Sequence, residues 1–290
     1  MSIGLALSGG GAKGAAHIGV LQALKEENIN IEYISGTSSG SIVAALYAAG
    51  YNPFNIYDMF TSYCSHIFDC DKRLPFKVFG TVFTGKISIK GLAKGDNLER
   101  LMRRYLSDKS IYNISQVKIP LAIPTVDLKS GEIVYFLSKN IENRSQGYDD
   151  EPSYIYSANL ASVVRASSSF PAVFEPKILQ DKILVDGGVR VNTPVSILKQ
   201  MGAKKVLAIC FDKNDKCDTY SKNIIGITMK TFDIMGHQVN EEELSRADFV
   251  LTPNVEDVGL LDCSKTKKIV NQGYYAVKNN IDKIKERICD

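Results

Sequence analysis

A serine framed by glycines lies near the start of the chain, in the segment Gly36-Thr37-Ser38-Ser39-Gly40. This segment has the G-x-S-x-G form of a nucleophile elbow, a sharp strand-to-helix turn that projects a serine hydroxyl. Its glycines leave room for a turn that a side chain would obstruct. Such a serine can attack an acyl carbonyl when a base takes its proton. By itself, however, the pattern is more often an ordinary turn or a helix cap.

A second glycine-rich segment, Gly9-Gly10-Gly11-Ala12-Lys13-Gly14, precedes the serine. It follows a short apolar strand candidate and opens a helical pattern, so it offers a run of backbone N–H groups at a helix N-terminus. Anionic charge is stabilised at such a position. A nucleophile beside a preformed anion site is the minimum machinery for acyl transfer, and the segment therefore predicts an oxyanion hole.

The same glycine segment also permits two phosphate-binding interpretations. A dinucleotide site requires an acidic residue at the end of the next strand, but that strand ends in Ser35 and Gly36, and Glu32 comes too early. A Walker loop requires Lys and then Ser or Thr directly after the last glycine, whereas Ala15 and Ala16 follow here. Both interpretations lack their confirming residue, which leaves dinucleotide binding as a distant alternative.

A carboxylate with two glycines directly after it, Asp186-Gly187-Gly188, ends a buried strand candidate far downstream. A carboxylate in this position can turn sharply into an open site. An ordinary Asx turn is the favoured interpretation when the segment stands alone.

These three segments, in this order, resemble the signature of the patatin-like phospholipase family. Further stretches that look like bacterial members of that family are 15–21, 165–171, 191–194, 247–251 and 257–262. The likeness covers nearly the whole chain. Lys13 stands where many members carry Arg, which keeps the charge but loses the planar fork.

The resemblance implies a Ser–Asp dyad in which Ser38 is the nucleophile and Asp186 the base, with the glycine segment 9–14 as oxyanion hole and no metal or cofactor. The expected reaction is hydrolysis of a lipid acyl ester, of phospholipase A, lysophospholipase or esterase type, through an acyl-enzyme. Because the reference pKa of Asp is about 3.9, the site must desolvate Asp186 or supply a short, aligned hydrogen bond.

The histidines agree with a dyad. Only His17, His66 and His237 are present, and none follows the elbow in the Ser…Asp…His order with an evident strand-end setting. For His17, in the helix after the glycine loop, we expect a role in helix packing. A non-hydrolytic regulator that binds acyl chains or a partner protein, and a transacylase, remain the alternative functions.

Strands and helical patterns alternate along the chain without a Pro/Ser-rich linker, which predicts one α/β domain over 1–290. We expect a three-layer α/β/α sandwich with a mainly parallel central sheet. The predicted strands are 3–8, 31–36, 119–126, 132–137, 181–186, 204–211 and 248–252. The predicted helices are 15–27, 39–49, 96–106, 158–167, 194–201 and 265–288. Asp96 with Glu99 resembles a capping box at the start of its helix.

An aromatic-rich stretch from 52 to 84, followed by many basic residues, shows little regular alternation. One interpretation is an irregular piece of core followed by a solvated helix face. The other is a cap or lipid-facing insertion over 52–115, which covers the serine, shapes an acyl groove and touches an anionic membrane. Both stay open at this point.

The composition is that of an ordinary globular chain of 290 residues, and the net charge of +3 gives no case for nucleic acid binding. No secretory signal and no apolar stretch of about 20 residues is visible. We expect a cytoplasmic protein, peripheral at the inner membrane face at most, with reduced cysteines. Cys64, His66, Asp69 and Cys70 lack zinc-finger spacing, so a metal site there is disfavoured.

Overall fold

One mixed sheet forms the centre of the protein in the computed structural model. The structure describes residues 2–65, 91–141, 152–211, 240–255, 258 and 262–289, together with the single positions 227, 231 and 234. The described strands are β1 (Ile3–Leu7), β2 (Tyr33–Gly36), β3 (Leu121–Asp127), β4 (Ile133–Leu137), β5 (Ser153–Ile155), β6 (Lys177–Leu179), β7 (Lys182–Asp186), β8 (Lys205–Ile209) and β9 (Phe249–Leu251).

The strand order is β5-β4-β3-β2-β1-β8-β9, with β7 paired to β3 and β6 paired to β7. Pairing is parallel at β1–β2, β1–β8, β2–β3, β8–β9 and β4–β5, and antiparallel at β3–β4, β3–β7 and β6–β7. The β1 strand is an unbroken apolar run buried along its whole length, as expected for a parallel strand covered on both faces.

Helices flank both faces of this sheet. They are α1 (Ala16–Glu26), α2 (Ser39–Ala48), α3 (Pro53–Ser65), α4 (Asp96–Asp108), α5 (Leu160–Ser167), α6 (Ser196–Gln200), α7 (Thr266–Lys278) and α8 (Ile281–Ile288). In the main core, Leu5 and Leu7 of β1 pack with apolar residues of each of these eight helices except α6. On the opposite face Ala6 packs with Leu198 of α6. The predicted α/β fold with a mainly parallel sheet is confirmed.

Strand β3 changes its partner along one edge. Its first residues pair with β2, where Ile34 lies opposite Leu121 and Ser35 opposite Ala122. Its last residues pair with β7, which runs in the opposite direction and places Asp186 opposite Thr125. The carboxyl ends of β2 and β7 therefore point toward each other across the middle of β3.

Several elements differ from the sequence-based expectation. Helix α3 was not predicted, although Ile56, Met59, Phe60 and Tyr63 follow helical spacing and are buried. Strands β5 and β6 were missed because each has only three residues. The single helix predicted over 265–288 is two helices, α7 and α8.

The predicted capping box at the start of α4 is wrong. The N-cap is Gly95, in a left-handed conformation with φ 71°, and it makes no side-chain cap. Asp96 is already the first helical residue. The Glu99 carboxylate instead contacts Lys177 and accepts a hydrogen bond from the Ser162 hydroxyl at 2.8 Å. These long-range contacts, together with Arg103, lower the pKa of Glu99 to about 2 against the opposing effect of burial, which is the largest single influence.

The cap over 52–115 stays a prediction, since part of it, 66–90, lies outside the described residues. Two described helices in it contribute to the main core, α3 through Phe60 and α4 through Met102. The longest described helices, α3, α4 and α7, have 13 residues each, and among the described residues no helix is long and apolar enough to cross a membrane.

The cysteines do not all match the expectation of reduced thiols. Cys263 forms a disulfide. Cys210 is buried and Cys289 is exposed, and neither forms a disulfide. Disulfides are rare in reducing compartments, so the cysteine chemistry differs from that assumed for a cytosolic chain.

Candidate active site

The two glycine-rich segments emerge side by side because β1 and β2 are parallel neighbours. Leu7 lies opposite Gly36 at the carboxyl ends of these strands, and the Thr37 N–H donates to the Leu7 carbonyl at 3.1 Å. Crevices at the carboxyl ends of parallel strands are the usual ligand sites of such sheets. A β-carbon at Gly40 would stand 2.5 Å from the Leu7 carbonyl oxygen, so this approach of the two loops requires glycine.

Ser38 occupies the strained position expected of a nucleophile elbow. Its backbone has φ 53° and ψ −122°, a conformation that non-glycine residues rarely adopt and that costs on the order of 1–3 kcal/mol. The Ser38 carbonyl accepts from the Ser41 N–H and hydroxyl, at 2.9 and 2.6 Å. The residue lies between β2 and α2 and is half-buried.

Asp186 is buried to 1% exposure at the end of β7. Its Oδ1 accepts from the Gly188 N–H at 2.8 Å, so the Asx turn considered from sequence is present. The other oxygen, Oδ2, is also buried and has no hydrogen-bond partner among the described residues. The turn and the candidate base are therefore compatible, because the turn uses only one of the two oxygens.

Burial raises the pKa of Asp186 to about 7, and interactions with the Ser38 side chain and the Gly188 N–H counteract only part of that effect. The Ser38 side chain is thus near enough to influence the carboxyl group, although Oδ2 lacks a hydrogen bond of ordinary geometry. Catalytic hydrogen bonds are often long or poorly aligned before substrate binds. Desolvation of this aspartate is what a carboxylate base acting near neutral pH requires.

The glycine loop packs directly on the elbow. A β-carbon at Gly9 would stand 3.2 Å from the β-carbon of Ser38, and one at Gly14 would stand 2.4 Å from the Ser39 hydroxyl. The absence of side chains at these two positions lets the backbone of the loop approach the serine. The predicted site residues of both segments are consequently brought together in space.

Beyond Gly9 the chain makes a 3₁₀ turn, Gly11–Ala15, that leads into α1. The first bond of this turn joins the Lys13 N–H to the Gly10 carbonyl at 3.1 Å. The N–H groups of Gly10, Gly11 and Ala12 precede it and donate to no backbone acceptor among the described residues. They are the candidate donors to an oxyanion.

His17 lies fully buried behind this loop, and its Nε2 is 2.9 Å from the Ser8 carbonyl. Burial lowers the pKa of His17 to about 4, against a smaller opposing effect of the Ser8 bond. The ring packs on Phe211 with centroids 4.9 Å apart. His17 is therefore a neutral packing residue, as predicted, whereas His66 and His237 lie outside the described residues.

The end of α5 supports both candidate catalytic residues. The Ser167 hydroxyl donates to the Pro124 carbonyl at 2.8 Å and accepts from the Ser38 N–H at 3.1 Å. Two residues further on, the Ser169 carbonyl accepts from the Asp186 N–H at 3.1 Å. Sequence patterns pointed to this stretch only as part of the family likeness and did not indicate these contacts.

The segment after the Asp-Gly-Gly motif ties all three motifs together. The Thr37 hydroxyl donates to the Val191 carbonyl at 2.9 Å, and the Gly9 N–H donates to the Asn192 carbonyl at 3.2 Å. The Val191 N–H donates to the Gly187 carbonyl at 2.7 Å. Elbow, glycine loop and carboxylate turn therefore share one support.

Within the part of the chain that the structure describes, no group of three His, Cys, Asp or Glu side chains could hold a metal ion. The side chains of the residues disfavoured as a metal site from sequence lie outside the part of the chain that the structure describes; they are Cys64, His66, Asp69 and Cys70.

A family model described as patatin-like phospholipase matches residues 5–199, which is more than half of the chain. The chain therefore belongs to the patatin-like phospholipase family. The family predicted from the three glycine-containing motifs is thereby confirmed.

Among curated proteins, lysophospholipase NTE1 of Scheffersomyces stipitis is 29% identical over 72% of this chain, and patatin-like phospholipase domain-containing protein 6 of Mus musculus is 27% identical over 78%. An NTE family protein of Mycobacterium bovis is 26% identical over 73%. The matched regions cover only 12%, 15% and 50% of these relatives.

Among solved structures, VipD from Legionella pneumophila is similar with a TM-score of 0.50 and 15% identity, covering 97% of this chain and 67% of VipD. A likeness at this identity supports the fold assignment.

Proposed function

We propose that this protein is a lipid acyl hydrolase, of phospholipase A, lysophospholipase or esterase type, that works through an acyl-enzyme on Ser38. Its family and its lysophospholipase-named relatives support a lipid ester as the substrate class. One observation carries the assignment. The strained, half-buried Ser38 lies beside the buried Asp186, whose pKa its side chain influences and whose Oδ2 has no hydrogen-bond partner among the described residues.

In the first half-reaction, Asp186 accepts the hydroxyl proton of Ser38 while the Ser38 Oγ attacks the carbonyl carbon of the ester. The carbonyl oxygen becomes an oxyanion. When the tetrahedral intermediate collapses, the bond to the leaving alcohol breaks and that alcohol takes the proton from Asp186. The acyl group remains on Ser38 as an ester.

The glycine loop is proposed to stabilise the oxyanion. The N–H groups of Gly10, Gly11 and Ala12 lie at the beginning of a turn that continues into α1, so their positive ends add to the field of a helix N-terminus. Donors held in place before the reaction cost no reorganisation when the charge develops. We assign Lys13 the role of orienting the loop or of binding a substrate phosphate.

In the second half-reaction, water loses a proton to Asp186 and attacks the acyl carbon. Collapse releases the fatty acid and returns the proton to the Ser38 oxygen. With a pKa raised to about 7, Asp186 is a stronger base than an exposed aspartate yet still half ionised at neutral pH. No imidazole is needed in either step.

The test is intact-mass analysis after treatment with an acyl-chain fluorophosphonate, followed by peptide mapping. The expected result is one adduct on Ser38, no adduct in Ser38→Ala, and loss of ester turnover in both Ser38→Ala and Asp186→Asn. Ser107→Ala, at an exposed serine of α4 away from the elbow, is the serine control and keeps its labelling. Labelling of Ser38→Ala at the wild-type level would contradict the proposal.

Two other functions give different outcomes in the same assays. A non-hydrolytic acyl-chain binder retains lipid but turns over none of a panel of acyl esters. A transacylase transfers the acyl group to an added alcohol or lysolipid in preference to water, which product analysis detects.

We also propose peripheral contact with an anionic membrane, through the region 52–115. On its described helices, Phe54 at the start of α3 is 70% exposed, and the basic residues Arg100 and Arg104 of α4 are exposed. An exposed aromatic ring and exposed basic side chains are the residue types that suit an anionic interface. Sedimentation with phosphatidylglycerol vesicles, and not with phosphatidylcholine vesicles, is expected, and Phe54→Ser should weaken it.

A further inference from the structure

The side chain of Asn192 lies in the narrow space between the glycine loop and the carboxylate turn. Its Oδ1 would be 2.7 Å from a β-carbon at Gly9, a point that is also only 3.2 Å from the β-carbon of Ser38. On the other side, Oδ1 would be 3.4 Å from a β-carbon at Gly188, which in turn would lie 3.1 Å from the Asp186 Oδ1. The carboxamide therefore borders the space between the nucleophile and the base.

The backbone of Asn192 is held by the site that its side chain borders. Its carbonyl accepts from the Gly9 N–H at 3.2 Å. The preceding residue, Val191, is bound to both Thr37 and Gly187. Functional side chains need such support, because a group that is not preorganised loses much of its effect. Asn192 is accordingly placed in the site by fixed backbone contacts.

Its carboxamide forms no hydrogen bond with any residue in the described part of the chain. Other asparagines of the protein have clear structural tasks. The Asn113 and Asn159 side chains cap helix starts by accepting from the N–H groups of Ser115 and Ser162, both at 3.1 Å. A half-buried carboxamide offers two donors and an acceptor oxygen, so the unpaired one beside Ser38 is available to a ligand.

We propose that Asn192 is a further catalytic residue, whose Nδ2–H donates a hydrogen bond to the ester carbonyl oxygen of the substrate as this oxygen becomes an oxyanion. The inference rests on the acyl hydrolysis proposed above. Asn192 supplies this donor in addition to the N–H groups of the glycine loop, against which it lies. It forms no covalent bond and transfers no proton.

Electrostatics favours the donor end of this amide over the acceptor end. Asp186 and a developing oxyanion are negative groups that border this space. An amide N–H is attracted to both, whereas a carbonyl oxygen is repelled. The terminal amide torsion of asparagine is soft, so a half-turn exchanges Oδ1 for Nδ2 in the same space. Substrate binding supplies the acceptor that selects the N–H orientation.

The experiment compares Asn192→Ala and the isosteric Asn192→Asp with wild type and with Asn279→Ala, an exposed asparagine at the end of α7. Loss of one oxyanion donor is expected to lower kcat by about 10²-fold with a small change in KM. Asn192→Asp, which keeps the shape but replaces the donor with a carboxylate oxygen, should be at least as impaired. Asn279→Ala should retain wild-type turnover.

Binding of analogues distinguishes a catalytic role from a structural one. A long-chain trifluoromethyl ketone adds to the serine and forms an oxyanion, so its inhibition constant should rise in proportion to the fall in kcat/KM. A non-hydrolysable ether lipid lacks this oxygen charge, and its Kd should stay unchanged. The thermal midpoint and the pH midpoint of kcat/KM should also be unaffected, because Asn192 contacts substrate and does not act through Asp186.

Retention of kcat within about threefold in both variants would overturn the inference, and so would a trifluoromethyl ketone affinity that does not change. A shift of the pH midpoint that accounts for the lost rate would also overturn it, since Asn192 would then act through the base. Each result leaves acyl hydrolysis standing as long as wild type turns over esters and Ser38→Ala does not.

Discussion

The Ser38 backbone N–H donates a hydrogen bond to the side-chain oxygen of Ser167 at 3.1 Å. The Ser167 hydroxyl proton is already used, because it is donated to the Pro124 carbonyl at 2.8 Å. Ser167 can therefore only accept from Ser38, and the polarity of this bond is determined. The buried Ser167 hydroxyl thus connects the strained elbow by hydrogen bonds to β3, the strand that also pairs with β7.

Ser167→Ala should lower both stability and turnover. The Ser38 N–H and the Pro124 carbonyl each lose a buried partner, which costs about 1–3 kcal/mol per unsatisfied group. The elbow then relaxes from φ 53°, and we expect kcat to fall by about tenfold or more, since small displacements of reacting groups are costly. Urea unfolding and steady-state kinetics measure the two effects. Ser107→Ala, at an exposed serine, is the control, and equal behaviour of the two variants would contradict this role.

The pH dependence of kcat/KM should show one ionisation with a midpoint near 7, because Asp186 must be ionised to act as base and burial raises its pKa to about 7. Activity should fall about tenfold per pH unit below that midpoint. A rate that stays constant from pH 8 down to pH 5 would show that the required carboxylate has an ordinary pKa.

Asp186→Asn should abolish turnover yet stabilise the fold at alkaline pH. The folded-state pKa of Asp186, about 7, is above the ordinary value of 3.8, so between these two values the folded protein binds more protons than the unfolded chain. Raising the pH through this window therefore lowers the free energy of unfolding, and the cost is complete above pH 7. Since one pKa unit corresponds to about 1.36 kcal/mol, the Asp186→Asn substitution removes a cost to the free energy of unfolding of at most about 4 kcal/mol.

Urea unfolding of wild type and Asp186→Asn at pH 8, 6 and 4 tests whether the ionised Asp186 carboxylate destabilises the fold. The variant should be the more stable protein at pH 8, and the difference should shrink toward pH 4. A variant that is less stable than wild type at pH 8 would mean that the carboxylate contributes favourable contacts exceeding its desolvation cost.

His17→Gln should retain turnover within an order of magnitude and leave the pH midpoint of kcat/KM unchanged. The imidazole has a pKa lowered to about 4 by burial, so it is neutral at working pH and holds the Ser8 carbonyl. Its loss affects packing against Phe211, which melting curves will register. If His17→Gln were as inactive as Ser38→Ala, and its circular dichroism spectrum showed that it is folded, the dyad assignment would be wrong.

Gly10→Ala should lower kcat by about 10²-fold, the usual effect of losing one oxyanion donor. A β-carbon at this position would stand 2.7 Å from the Phe211 ring, so the loop must shift and move its N–H groups. Gly50→Ala is the control, because Gly50 has φ 90° at the far end of α2 and its replacement strains the backbone away from the site. A higher KM with unchanged kcat in Gly10→Ala would indicate a ground-state phosphate site instead.

Local patterns in the sequence were sufficient for the main strands and for most helices. Buried parallel strands such as β1 are continuous apolar runs, and this signal needs no tertiary information. Helix α3 was missed although Ile56, Met59 and Phe60 follow helical spacing, because the aromatic residues around them obscured the period. The capping box was predicted wrongly for a different reason. Glu99 is correctly spaced to cap its own helix, but its carboxylate bonds instead to Lys177, which is 78 positions away.

The sequence by itself determined the family, the elbow, the glycine loop and the carboxylate, because each motif is a short run whose residues must be contiguous. Only the tertiary structure decided that these runs meet. Ser38 and Asp186 become neighbours because one edge of β3 pairs first with β2 and then with β7. These strands are distant from one another in the chain. The burial that raises the pKa of Asp186, and the contacts of Ser167 and Asn192, likewise depend on long-range packing that no local pattern encodes.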